Sequence, residues 1–207
     1  YWGCPPLFGG CSVLVLPGPP PTLLRSYDFT ETFFDALIWR SNWNGKRVVA
    51  MCDGAGGCLD GVNEDGLAAA LTFGGRLDHG MGFAIPIIVR YALETCATVE
   101  HAIETLSRLP SAGVQNVIVQ DRSGASAVVY LRPDRPAVVS REPMVTNHQE
   151  TAPSGTGEAS NSSGRKSRLS DLQGVEPAVA LQAFLKPPLH HNAFSDWFGT
   201  LYTAVYE

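Results

Sequence analysis

Long apolar runs are missing from this chain. No stretch of its 207 residues approaches the roughly 20 that a helix needs to cross a bilayer, so no membrane span is expected. Basic residues are in short supply too. Fifteen Lys and Arg stand against 20 Asp and Glu, a formal charge of −5. A phosphate backbone is gripped by clustered cations, and this balance excludes nucleic acid as a partner. Cysteine is sparse and odd in number: Cys4, Cys11, Cys52, Cys58 and Cys96. A disulfide framework favours an even, dense set in a shorter chain, so reduced thiols, and with them a cytoplasmic location, are favoured. Neither Cys52 with Cys58 nor His190 with His191 has the spacing of zinc ligands, and no metal or other cofactor is expected. G-x-S-x-G, P-loop, G-x-G-x-x-G and H-E-x-x-H motifs are all absent, which removes the usual support for serine hydrolases of that class, nucleotide folds and zincins.

What is present describes an ordinary globular protein: 44% hydrophobic and 17% charged residues, enough to bury a sizeable core. The opening YWGCPPLFGG has neither a basic n-region nor an apolar h-region and lacks Met. Residues 1–10 are expected to be the remnant of a precursor segment or linker, and 11–207 one domain.

Along the chain, 12–16 is a β-branched and leucine run closed by Pro17, and 22–29 reads as its hairpin partner across a proline-rich turn. Residues 37–40 and 46–51 flank Asn44-Gly45, a strong hairpin signal. Two more short strands flank Asn63-Glu-Asp-Gly66. The period then changes: 86–109 carries an apolar helical face broken near 95–99, with Thr98 able to cap a second helix. Strands return at 114–120, 127–131 and 137–140. A Ser/Gly/Thr loop at 151–164 precedes helices at 167–172 and 177–184, and 199–206 is a final strand. Strands, helices, strands and helices in this order predict an α+β fold with sheets and helices in layers.

Candidate chemistry gathers where strands end and turns begin. Cys11 follows a glycine pair at the mouth of the first strand; the bland alternative is a core thiol. Arg25 and Asp28 are three apart, as a structural ion pair also would be. Asn147, in Val-Thr-Asn-His-Gln149, suits a turn as well as a site.

The ordered combination is more specific. Gly10-Cys11-Ser12, Arg25-Ser-Tyr-Asp-Phe29, Leu59-Asp-Gly-Val-Asn-Glu-Asp-Gly-Leu67, Leu71-Thr-Phe-Gly-Gly75, Val145-Thr-Asn-His-Gln149 and Gly199-Thr-Leu-Tyr-Thr-Ala-Val-Tyr206 follow one another. The series resembles the isopenicillin-N acyltransferase-like branch of the N-terminal-nucleophile hydrolases and is more distantly similar to choloylglycine hydrolases. That resemblance implies a four-layer αββα fold and a precursor cut between Gly10 and Cys11.

Carried over residue by residue, it makes Cys11 the nucleophile, Arg25 and Asp28 the R-x-x-D pair beside it, and Asn147 the oxyanion-hole asparagine. Thr72 lies near a second oxyanion group. Ser26 stands where the family usually has Asn, one hydrogen-bonding group fewer. The segment 162–169 is similar to a family helix start, with packing or lid duty expected rather than catalysis. A freed α-amine titrates near pH 8 and can take the thiol proton without a histidine. Arg25 would favour thiolate, and Asp28 would orient the ammonium. The expected activity is cleavage of a linear amide or acyl transfer through a Cys11 acyl-enzyme. The expected partner is a small-molecule amide or acyl substrate, and homo-oligomerisation stays open. The rival reading is a non-catalytic αββα binding protein that never processes itself.

Overall fold

The computed structural model describes residues 10–54, 56–149, 161–192, 194 and 199–207. Apart from Gly10, the leading segment lies outside them, as does most of the Ser/Gly/Thr stretch.

The strand β1 (Gly10–Leu16) and its hairpin partner β2 (Thr22–Phe29) are buried at every position. A strand buried on both faces must be covered on both, and the side chains show by what. Val13, Val15 and Leu23, with Val145 beside Val13, point to one face, against Ala68, Ala70, Ile118 and Val128. Leu14, Leu16 and Leu24 point to the other, against Leu169, Leu172, Ala180 and Phe184.

After β2 in sequence, β3 (Leu37–Trp43), β4 (Lys46–Asp53), β5 (Gly57–Asn63), β6 (Ala68–Phe73), β7 (Gln115–Gln120), β8 (Ser126–Leu131) and β9 (Val138–Ser140) form a seven-stranded antiparallel sheet in chain order. A second sheet of four strands runs β10–β1–β2–β11, using β10 (Met144–Val145) and β11 (Gly199–Tyr206).

The period-2 alternation of strands sorts the large sheet between its two neighbours. Ala68, Ala70, Ile118 and Val128 meet the small sheet. Ala69, Leu71, Val117, Val119, Ala127 and Val129 meet Ile88, Val89, Leu93, Val99, Ala102 and Leu106, which belong to α1 (Ile85–Thr95) and α2 (Val99–Arg108). The outer face of the small sheet carries α3 (Ser162–Ser170) and α4 (Pro177–Phe184). The layers are therefore αββα, an α+β sandwich, as the resemblance implied.

Local chemistry accounts for the joints. Asn44 and Gly45 both adopt positive φ, 52° and 76°, as a two-residue hairpin turn requires. Pro86 stands in the first turn of α1, and the Thr98 hydroxyl caps α2 by accepting from the His101 N–H at 3.3 Å. A Cβ on Gly57 would fall 2.3 Å from the Pro86 Cβ, so only glycine lets α1 lie this close to β5. The helix expected at 167–172 starts earlier, at Ser162, and the two-residue β10 was not anticipated.

Candidate active site

In β1, Val13 pairs with Val145 of β10 and with Arg25 of β2. Running the β10 register on by two residues brings Asn147 opposite Cys11, and the Cys11 N–H donates to Asn147 Oδ1 at 2.6 Å. Cys11 itself pairs with Tyr27, so Arg25 is its diagonal neighbour on the same face, within reach of a long side chain. Arg25 Nη2 lies 3.7 Å from Cys11 Sγ.

Arg25 and Asp28 do not pair with each other. Three positions along a strand lead to opposite faces, and each carboxylate and guanidinium has its own partners. Arg25 forms a fully buried ion pair with Asp60 of β5 and stacks over the Tyr27 ring, 4.7 Å from its centroid. Asp60 also accepts from the hydroxyls of Tyr202 and Tyr206 on β11. Asp28 pairs with Gly10 in the ladder, accepts from Thr200 Oγ1 at 2.7 Å and lies 3.6 Å from His191 Nε2.

Electrostatics follow from this burial. Desolvation pushes the Cys11 thiol above its ordinary value, with Arg25 opposing and Asp28 adding to the rise. Burial also raises Asp28 to about 6, against the pull of Arg165, Thr200 and Arg25. Arg25 loses by desolvation but is held protonated by Asp60. A neutral thiol beside a fixed cation needs only a base to become reactive.

Asn147 is held from every side. Its Oδ1 also accepts from Arg165 Nη2 at 2.5 Å, its Nδ2 donates to Phe73 O at 3.3 Å, and its N–H donates to Ser162 Oγ at 2.8 Å. Thr72 joins this scaffold from behind. Its hydroxyl donates to Thr146 O at 2.8 Å and accepts from Asn116 Nδ2 at 3.0 Å. The structure thus sets Arg25 against the Cys11 sulfur and Asn147 against its nitrogen, with Asp28 opposite Gly10 in the ladder and turned to Thr200, while the Thr72 side chain braces the segment that carries Asn147.

Residues 18–207 match the family of acyl-coenzyme A:6-aminopenicillanic acid acyl-transferase. The chain belongs to this acyl-transferase family. The matched residues begin just after β1, so Cys11 lies upstream of them. No curated protein sequence matches the chain. Among solved structures, it is similar to a Caenorhabditis elegans ortholog of N-acylethanolamine-hydrolyzing acid amidase, with TM-score 0.66 and 15% identity over 94% of this chain and 91% of that one. A variant of the conjugated bile acid hydrolase from Clostridium perfringens gives 0.54 and 16%, over 68% and 54%. Penicillin V acylase from Agrobacterium tumefaciens gives 0.53 and 15%, over 94% and 78%. These relatives share the N-terminal-nucleophile hydrolase fold. Membership makes the chain a relative of enzymes that transfer acyl groups and act on amides.

Within this acyl-transferase fold, three residues at the site were not anticipated by sequence reasoning. Asp60 was passed over inside a longer motif, although an acid in the middle of an otherwise apolar strand is itself a signal, because buried carboxylates are rarely left unpaired. Tyr202 supports it from β11. Arg165 was assigned to packing or lid duty. It is fully buried, its Nη1 donates to Cys11 O and to Ser12 Oγ, the latter at 2.9 Å, and its Nη2 reaches Asn147. The run Ser162-Ser-Gly-Arg165 gave no sign that its arginine turns inward.

Proposed function

We propose that this acyl-transferase relative is a self-processing N-terminal-nucleophile enzyme that cleaves linear amides, or transfers their acyl group, through Cys11, with residues 11–207 acting as one catalytic unit. The observation that carries the reading is the convergence on Cys11: a guanidinium 3.7 Å from its sulfur and a fixed side-chain amide 2.6 Å from its nitrogen.

Processing comes first. Cys11 Sγ attacks the Gly10 carbonyl, the Gly10–Cys11 C–N bond breaks, and the acyl group moves to sulfur while the nitrogen gains a proton. Water then cleaves the thioester, leaving a carboxylate on Gly10 and a free amine on Cys11. That amine titrates near pH 8 and takes the thiol proton in later turnovers. The Arg25 charge favours thiolate over thiol. Asp28, at the level of the Gly10–Cys11 bond, is suited to accept from the ammonium.

In turnover the thiolate adds to the substrate carbonyl. The Asn147 side chain stays on the cysteine nitrogen through Oδ1 and offers Nδ2 to the oxyanion, with a backbone N–H near Thr72 as a second donor. Losing one such donor typically costs about 3 kcal/mol of transition-state stabilisation. The C–N bond breaks, the amine leaves with the proton held by the ammonium, and a thioester remains on Cys11. Water completes hydrolysis; an amine completes acyl transfer.

Trapping the thioester tests this reading. Acid quenching during turnover of a medium-chain amide, followed by mass spectrometry, is expected to find the acyl group on the peptide that begins with Cys11. Acylation elsewhere, or equal labelling of Cys11→Ala, contradicts it.

A further inference from the structure

Away from the thiol the two sheets part. The β1–β2 turn, the ends of β5, β7 and β11 and the start of β6 enclose a cavity of about 400 Å³, within the range of about 300–1,000 Å³ usual for small-molecule sites. It lies at the far end of β1. Cys11 to Leu16 is about 17 Å of strand, and the cavity begins beyond it, at Gly18. It is a second site, separate from the one at Cys11.

Its lining is set by the sequence. Pro19, Pro20 and Pro21 form one wall, and their rings fix φ, so this wall stands before anything binds and little ordering is lost on binding. Val62 and Ala68 face it from the large sheet, and Tyr206 closes it from β11. Gln120 lines it as well; it is 4% exposed, and its Oε1 has no hydrogen-bond partner. A buried amide oxygen without a donor is rare in native proteins, and this cavity has room for a ligand that supplies one.

Charge narrows the class of ligand. Arg122 turns its Nε and Nη2 to the carbonyls of Asp65 and Glu64, and Glu207 brings a carboxylate to the same rim. An anion gains little there. A flat, uncharged ring can stack on Tyr206 and lie against the proline faces, while an N–H or O–H on its edge suits Gln120 Oε1.

Tyr206 also connects the cavity to the thiol. Its hydroxyl donates to Asp60, Asp60 holds Arg25 in a buried ion pair, and Arg25 Nη2 lies 3.7 Å from Cys11 Sγ. Burial, and then the Asp60 charge, hold the Tyr206 phenol above its ordinary value, so it stays a donor. An occupant that excludes water from Tyr206 strengthens the hydrogen bond to Asp60. The carboxylate charge is then drawn further onto Tyr206, and more of the Arg25 charge is left to favour thiolate.

We propose that this cavity is an effector site for a small neutral aromatic bearing an N–H or O–H, and that its occupant raises the reactivity of Cys11 through Tyr206, Asp60 and Arg25. Tyr206 is the positioning residue of this relay. The proposal goes beyond the amide-cleaving reading and does not require it.

Indole and benzofuran, alike in shape but differing in the N–H, test the site. Calorimetry on the wild-type protein is expected to show indole binding about 3- to 10-fold more tightly, the range of one neutral hydrogen bond. Gln120→Leu should erase that ratio, and Ala68→Leu, which narrows the cavity, should weaken both ligands. Wild-type protein that prefers neither ligand overturns the proposal, whether or not the variants fold. A folded Gln120→Leu that keeps the preference, or a folded Ala68→Leu that binds both as well as the wild type, also overturns it. Saturating indole is further expected to speed iodoacetamide labelling of Cys11 about 5-fold, the low end of coupling between sites, when that peptide is followed by mass spectrometry. Tyr206→Phe should bind indole and lose the acceleration. Labelling that indole leaves unchanged, or speeds equally in Tyr206→Phe, overturns the relay. Because thiol labelling is read and not turnover, the effect can appear in a protein that forms no acyl-enzyme and be missing from one that does, so the two readings fail separately.

Discussion

Asp60 has no solvent contact, and its charge is met by Arg25, Tyr202 and Tyr206. Asp60→Asn leaves the Arg25 guanidinium buried without its counter-ion, a loss that typically costs 3–5 kcal/mol. Urea unfolding should show a correspondingly lower midpoint, and the thiol of Cys11 should lose part of its Arg25 support as Arg25 reorients. Asp28 behaves in the opposite sense. Its carboxyl is raised from 3.8 to about 6, so the folded chain keeps a proton that the unfolded chain has released. The stability this group lends is complete below pH 4 and is lost as pH rises through 6, up to about 3 kcal/mol. Asp28→Asn should therefore gain melting temperature over the wild type at pH 7.5 but not at pH 3.5. Parallel melting curves across that range contradict the assignment.

At the scale of elements, the segment 145–149 depends on close approach. Gly75 has a φ of 87°, and a Cβ there would meet Asn147 O at 2.8 Å and His148 Cα at 3.3 Å. Gly75→Ala should displace Asn147 and lower kcat by about 100-fold, because small misplacements of catalytic groups are costly. Thr98→Ala, which removes only the cap of α2, should cost about 1 kcal/mol of stability and leave kcat alone. These elements differ in how far the sequence revealed them. The Asn44-Gly45 turn and the Thr98 cap are local chemistry and were legible. β10 is two residues long, too short for any periodicity, yet its register is what sets Asn147 opposite Cys11. The inward turn of Arg165 likewise has no local signal, because two of its acceptors are 153 and 154 positions away and the third, Asn147, is 18 away.

Over the whole molecule, the order of strands and helices was legible because the hydrophobic period changes from 2 to 3.6 and back. The pairing of sheets was not. β1 and β2 are buried on both faces and carry polar residues on both, so no polar alternation marks which side meets the second sheet; the αββα layering came from the resemblance. The core of the site shows the same division. Cys11, Arg25, Asp28 and Asn147 stand in short motifs, whereas Asp60 finds its tyrosine partners 142 and 146 residues on, a relation visible only once β11 has closed the small sheet.

All of these roles depend on Cys11 becoming a chain terminus. Intact-mass measurement with N-terminal sequencing of the purified protein, beside Cys11→Ala, tests that most directly. A new N-terminus at Cys11 in the wild type, absent from the variant, is the predicted result. A wild-type chain that stays uncut before Cys11, with a thiol inert to iodoacetamide, contradicts the account and leaves a folded binding protein in its place.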